Sequence, residues 1–232
     1  MKKLSLLIST LLMFNLSAFA GCNEVVNADT INKAQNKIDS IGFKILNSNG
    51  IERRMTFNYD SSKTKNAYTA YSNREIVLYR GLYDRLKSDD EIAAVLSHEI
   101  SHGIDGYNGP LRGYFSFFNN SWLLGSKKSE YKADKRAVDF MVNAGYNPVA
   151  MIVMMNKTLP QYRFDWHSTH PLTSRRMMEV YEYIYKKYPE FLANNEYKNN
   201  LYYQNFLLNS KENRAKFQKK IEQKSKAPVH YL

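Results

Sequence analysis

Cysteine occurs once in these 232 residues, at Cys22, so no intrachain disulfide can staple the fold. Histidine occurs five times, which leaves few candidates for metal ligation. Acidic residues are in deficit, 22 against 33 basic ones, giving a net charge of +11. Such a balance suits anionic surfaces, nucleic acid or lipid headgroups among them. No nucleic-acid-binding motif accompanies it and the lysines are scattered, so nucleic acid is not an expected partner. No internal repeat is evident. The apolar run at residues 4–16 is too short and wrongly flanked for a membrane anchor. With 44% hydrophobic residues the chain can still bury a core, and its length fits one main domain.

That apolar run reads as a targeting segment. Lys2 and Lys3 form a charged n-region, and Ala18-Phe19-Ala20 is a small-x-small cleavage site. Residues 1–20 are expected to be a signal peptide removed on export, which sets the mature protein in the periplasm or outside the cell. Ala20-Gly21-Cys22 resembles the end of a bacterial lipobox, although Phe19 stands where such boxes prefer leucine. Two mature forms stay open: a soluble one, and one anchored to a membrane through lipid on Cys22.

What the chain does contain is His98-Glu99-Ile100-Ser101-His102. Histidines four apart lie one turn apart on one helix face. Both rings can then grip one Zn²⁺ while Glu99 reaches a metal-bound water as general base. The flanks specify the helix. Ser88-Asp89-Asp90-Glu91 has the form of a capping box, and the aspartates suit the positive end of the helix dipole. Ile92, Val95, Leu96 and Ile100 recur at helical spacing, and Gly103 and Gly106 offer places to stop. The competing reading is a pair of satisfied core histidines.

A catalytic zinc usually keeps three protein ligands and one open position. One class of the motif carries a third histidine six residues after the second; that position here is Asn108. Another class takes a glutamate from a later helix. Glu130 and Asp134 are one turn apart at the start of a segment with Ala137, Val138, Phe140, Met141 and Ala144 at helical periodicity, closed by Gly145. Glu130 can be the third ligand. Asp134 can accept the second N–H of a liganding histidine and fix its tautomer. The alternative is a solvated acidic face among Lys127, Lys128, Lys132 and Lys135.

In this order the motifs resemble peptidase family M48, gluzincin-type zinc peptidases that include the CAAX-prenyl endopeptidase, HtpX and several bacterial periplasmic peptidases. Asn66-Ala67-Tyr68 and Ile76-Val77-Leu78-Tyr79-Arg80-Gly81-Leu82 resemble the strand pair before the active-site helix. Residues 90–102 resemble the core signature, and Glu130-x-x-Ala133-Asp134 matches the third-ligand motif. Gly145-Tyr146-Asn147-Pro148 and His170-Pro171, followed by Arg176, resemble the segments beyond. The likeness spans residues 60 to 185 or so. It departs in a compact connection between His102 and Glu130, and in the lack of membrane-spanning helices around the motif.

The resemblance implies a zinc metalloendopeptidase acting on protein or peptide substrates. One Zn²⁺ would sit on His98, His102 and Glu130, with Glu99 as general base. His170 would donate to the oxyanion; two other roles stay open, a fourth zinc ligand in an inhibited form and a cap ahead of Pro171. Arg176 would pair with a site carboxylate or hold its own segment. His167 and His230 have no assigned partner. A catalytically silent zincin-fold chaperone or assembly factor is the alternative function.

The expected fold is α+β, a mostly helical, zincin-like single domain with one small sheet beside the catalytic helix. Helices are expected at 28–41, 149–157 and 173–188, strands at 43–46, 53–59, 67–71 and 75–79, and a helical turn at 81–86. The strand at 67–71 could pair with an extended substrate. The metallopeptidase domain is expected over 23–188 and a basic helical extension over 189–232. That extension reads either as a solvated accessory helix at 210–223 or as an arm that docks on a membrane surface or a partner. The sequence leaves the oligomeric state open.

Overall fold

The structure is a computed structural model that describes residues 27–70, 73–108, 127–160 and 172–231. The export segment, Cys22, His167 and His170 lie outside the described residues.

The chain opens with α1 (Ala28–Ser48), capped by the Asn27 side chain accepting from the Asp29 amide. The helix overruns the expected end at 41 and absorbs the strand expected at 43–46. Ile38, Ile41, Ile45 and Leu46 are all buried at helical spacing, so the apolar face continues through the predicted break. Gly42 does not stop it. The ring of Phe57 packs on that glycine so closely that an added Cβ would lie 2.4 Å from a ring carbon.

Three strands follow: β1 (Thr56–Asp60), β2 (Ala67–Ala70) and β3 (Glu75–Tyr79). Their order in the sheet is β1-β3-β2. β1 runs parallel to β3, with Phe57 opposite Ile76; β2 runs antiparallel, with Thr69 opposite Ile76. Phe57, Tyr59, Ile76, Leu78 and Thr69 therefore share one buried face. The outer edge of β1 is closed by Gln35 of α1, whose amide donates to the Phe57 carbonyl at 3.0 Å and accepts from the Tyr59 amide at 2.7 Å. Among the described residues no strand covers the free edge of β2.

A short turn, α2 (Arg80–Tyr83), leads into α3 (Asp89–Asn108). The Glu91 amide donates to Ser88 Oγ at 3.2 Å, the first half of the expected capping box. The return arm differs: Glu91 accepts from the Lys87 amide and pairs with Lys157 at 2.5 Å, both side chains buried. α3 runs through Gly103 and Gly106 instead of stopping there. Gly103 is a packing site, since an added Cβ would sit 3.2 Å from the Met55 methyl and 3.4 Å from that of Thr69.

The remaining described helices are α4 (Lys127–Asn143), α5 (Ala150–Thr158), α6 (Thr173–Lys187), α7 (Glu190–Ala193), α8 (Leu201–Asn209) and α9 (Lys211–Glu222). Gly145 ends α4 with φ at +73°, the left-handed residue of a helix terminus. α5 is buried all round, with its methionines filling the core beside α3. Tyr203, Phe206, Phe217 and Tyr231 join that same core from the C-terminal segment. The fold is thus mostly helical with one small sheet, as expected. No described helix is long and apolar enough to cross a membrane.

Candidate metal centre and active site

α3 and α4 build the site between them. Glu130, Ala133, Asp134 and Ala137 form one stripe of α4 and all are buried. The two alanines let the helices approach closely, so the carboxylates reach the α3 histidines. His98 Nε2 and His102 Nε2 lie 3.1 Å apart. Glu130 faces both, with Oε2 3.6 Å from His98 Nε2 and Oε1 3.3 Å from His102 Nε2. Two imidazole nitrogens and one carboxylate oxygen, all within 4.8 Å of one another, are a donor set of the kind that holds a borderline cation such as zinc.

Asp134 backs this set. Its Oδ1 is 2.9 Å from His98 Nδ1, a hydrogen-bond distance although the ring N–H is not lined up for a regular bond. The contact favours the His98 tautomer with Nε2 turned towards His102 and Glu130. Arg176 of α6 completes the cluster, reaching Asp134 Oδ2 through Nε at 2.8 Å and Glu130 Oε2 through Nη1 at 3.1 Å. Sequence-predicted His98, His102, Glu130, Asp134 and Arg176 are therefore brought together, and Glu99 lies between the histidines on α3.

The charges explain the protonation. Burial alone would lower the His98 pKa, but Asp134 and Glu130 outweigh it and push the ring up to about 10. Burial likewise would raise Asp134, but the Arg176 and His98 charges hold it below the usual carboxylate range. Arg176 stays cationic: desolvation opposes its charge, and the surrounding carboxylates more than offset that.

Thr69 went unnoticed in the sequence. Its Oγ1 lies 2.8 Å from Glu99 Oε2 and 2.8 Å from the Glu99 carbonyl oxygen. The available signal was a hydroxyl on the side of β2 that alternation assigns to the core.

The chain belongs to peptidase family M48. A sequence model of that family, "Peptidase family M48", matches residues 32–107 and 111–184. The chain is also similar to the beta-barrel assembly-enhancing protease of Escherichia coli O157:H7, 21% identical over 182 residues, covering 62% of this chain and 37% of that protein. It thus spans well under half the length of that relative. Peptidases of this family depend on zinc, and the grouping of His98, His102 and Glu130 fits such a site.

Proposed function

We propose that this chain is a zinc-dependent metalloendopeptidase of the cell envelope that takes part in protein quality control. The observation that carries the catalytic part is the convergence of His98, His102 and Glu130 on one point, with Glu99 between the two histidines. These three residues would hold the metal. Bound there, it would acidify a water and polarise the scissile carbonyl.

The chain's own groups supply the rest. Glu99 takes the proton of the attacking water and delivers it to the leaving amine nitrogen. Asp134 holds His98 in its working tautomer, and Arg176 offsets the two buried carboxylates beside it. Substrate is held along β2. The Tyr79 amide donates to the Asn66 carbonyl at 3.2 Å, so even-numbered residues of β2 bond inwards to β3. Ala67 and Thr69 then turn their main-chain groups to the free edge, where an extended peptide can add as a further strand.

Export to the periplasm is supported by the charged start, apolar run and small-x-small site of residues 1–20, with Cys22 as a lipid anchor point in one of the two mature forms. The quality-control role is supported by the name of the Escherichia coli relative, a protease tied to β-barrel assembly.

The test is Glu99→Gln in the purified protein. It should bind one zinc per chain, as wild type does, and lose nearly all hydrolysis of casein. His98→Ala should lose most of the zinc. Unchanged casein cleavage by the Glu99 variant would rule out the proposed base. A wild type inactive on casein and on a broad peptide set would favour a silent chaperone.

A further inference from the structure

We infer that Thr69 is a positioning residue for the general base, tying the substrate-binding strand to the Glu99 carboxylate. The inference rests on the peptidase reading above and goes beyond it, because it concerns a residue outside every motif that the reading uses.

Thr69 is buried, and its side chain sits on the core face of β2 among Ile76, Leu78, Phe57 and Tyr59. A hydroxyl in apolar surroundings needs partners, and both that it finds belong to Glu99. It carries one proton, so at any moment it donates either to Glu99 Oε2 or to the Glu99 carbonyl. Donation to Oε2 has a geometric consequence. One carboxylate oxygen is pinned to β2, and Oε1 has no hydrogen-bond partner among the described residues. The carboxylate is thereby fixed in rotation, with one oxygen held and the other left for proton transfer. Proton transfer is sensitive to such placement, and a small misalignment is enough to slow it strongly.

The same residue has a second attachment. Its main-chain groups face the free edge of β2, where an added peptide strand would bond. Thr69 thus joins substrate and base through one rigid unit: the peptide on its backbone, Glu99 on its side chain. A peptide seated on the edge is set in register with the carboxylate that must reach it. A merely structural hydroxyl would be satisfied by the helix carbonyl alone and would leave the carboxylate untouched.

Two substitutions separate these roles. Thr69→Val keeps the shape and removes the hydroxyl; Thr69→Ser keeps the hydroxyl and removes the methyl. With casein-derived fluorogenic peptides and zinc-loaded protein, Thr69→Val should lower kcat by about 10- to 100-fold while KM changes by less than about twofold. Thr69→Ser should stay within about threefold of wild type in kcat. Equal kcat values for the two variants, high or low, would overturn the inference. If Thr69→Val fails to fold, Thr69→Ala against Thr69→Ser makes the same comparison.

A second readout does not depend on turnover. Thermal melts of Thr69→Val, Glu99→Ala and the double variant form a cycle. Contact with the carboxylate predicts that the Tm loss from Thr69→Val shrinks markedly once Glu99 is alanine. Additive losses would show that the hydroxyl serves only the carbonyl, which alanine retains, and would sink the inference. If wild type cleaves nothing, the peptidase reading fails, and this cycle still decides whether Thr69 holds Glu99.

Discussion

Arg176 grips Asp134 with two parallel hydrogen bonds inside the core, Nε to Oδ2 at 2.8 Å and Nη2 to Oδ1 at 2.7 Å. Both side chains are buried, and Oδ1 is the oxygen that also faces His98 Nδ1. One guanidinium therefore neutralises Asp134, reaches Glu130, and fixes the carboxylate that lies against the His98 ring. Its planar fork suits this task in a way that a lysine would not.

Removing that cation leaves two buried carboxylates facing only the His98 imidazolium. Arg176→Met should lower the stability of chelator-treated protein by about 3–5 kcal/mol, the usual cost of breaking a buried pair from one side. Zinc bound at the same cluster would supply positive charge there. The Tm gained on adding zinc should therefore be larger for Arg176→Met than for wild type. Equal gains, measured by thermal melts with and without zinc, would show that Arg176 and the metal site are not coupled.

Much of this site could be read from the sequence because its chemistry is periodic. His98 and His102 are one helical turn apart, and so are Glu130 and Asp134, so each pair names its own face. What local patterning does not carry is the partner across space. Nothing near Arg176 says that it bonds Asp134 rather than merely holding its own segment. Thr69 was hidden likewise, because its function lies in contact with another element. In the fold, residues 43–46 continue α1 through Gly42 rather than forming the expected strand. The reason for that glycine is a ring from β1, fifteen residues further on. Residues 75–79 were legible as a strand because an apolar, β-branched run between turn residues has little else to become.

The His98 ring predicts a pH dependence of the chelator-treated protein. Its folded pKa, near 10, lies above the ordinary 6.5. The folded state then binds more protons than the unfolded one between those values. The His98 contribution to stability is fully present below pH 6.5 and lost as pH rises through about 10. Asp134 acts at the other end: its pKa is depressed, so its contribution is present above the ordinary carboxylate range and lost as pH falls through the folded value. Chelator-treated protein should lose Tm between pH 7 and pH 10, and zinc-loaded protein should lose less, because the metal replaces the proton. A Tm flat across this window without metal would contradict the protonated cluster.

The C-terminal segment predicts a stability effect. Phe217 packs edge-on against Tyr181 and Tyr185 of α6, with centroids 6.4 and 5.3 Å away. Glu182 of the same helix is bonded by Lys186, Lys220 and Tyr231. Burial alone would raise the pKa of that carboxyl, but these bonds outweigh it and hold it low. Phe217→Ala should lower stability by about 3–5 kcal/mol, as for other buried aromatics. A tail serving only as a solvated or surface-docking arm would leave the Tm unchanged. Trimming the chain near Pro189 for liposome-binding tests should cost stability for the same reason, so Tm must be measured beside binding.

His170 carries the last prediction, and its ground is the His-Pro likeness to the family. As an oxyanion donor, its interaction with substrate exists mainly in the transition state. His170→Ala should then lower kcat more than it raises KM, by about 10²–10³-fold. Zinc content should be unchanged, because His98, His102 and Glu130 would still supply three ligands. The other roles give different results in the same experiment. A fourth, inhibitory ligand predicts higher activity on removal. A cap ahead of Pro171 predicts a lower Tm with kcat nearly unchanged. Steady-state kinetics, metal content and a melt of this one variant separate the three, and a kcat within about twofold of wild type would end the oxyanion assignment.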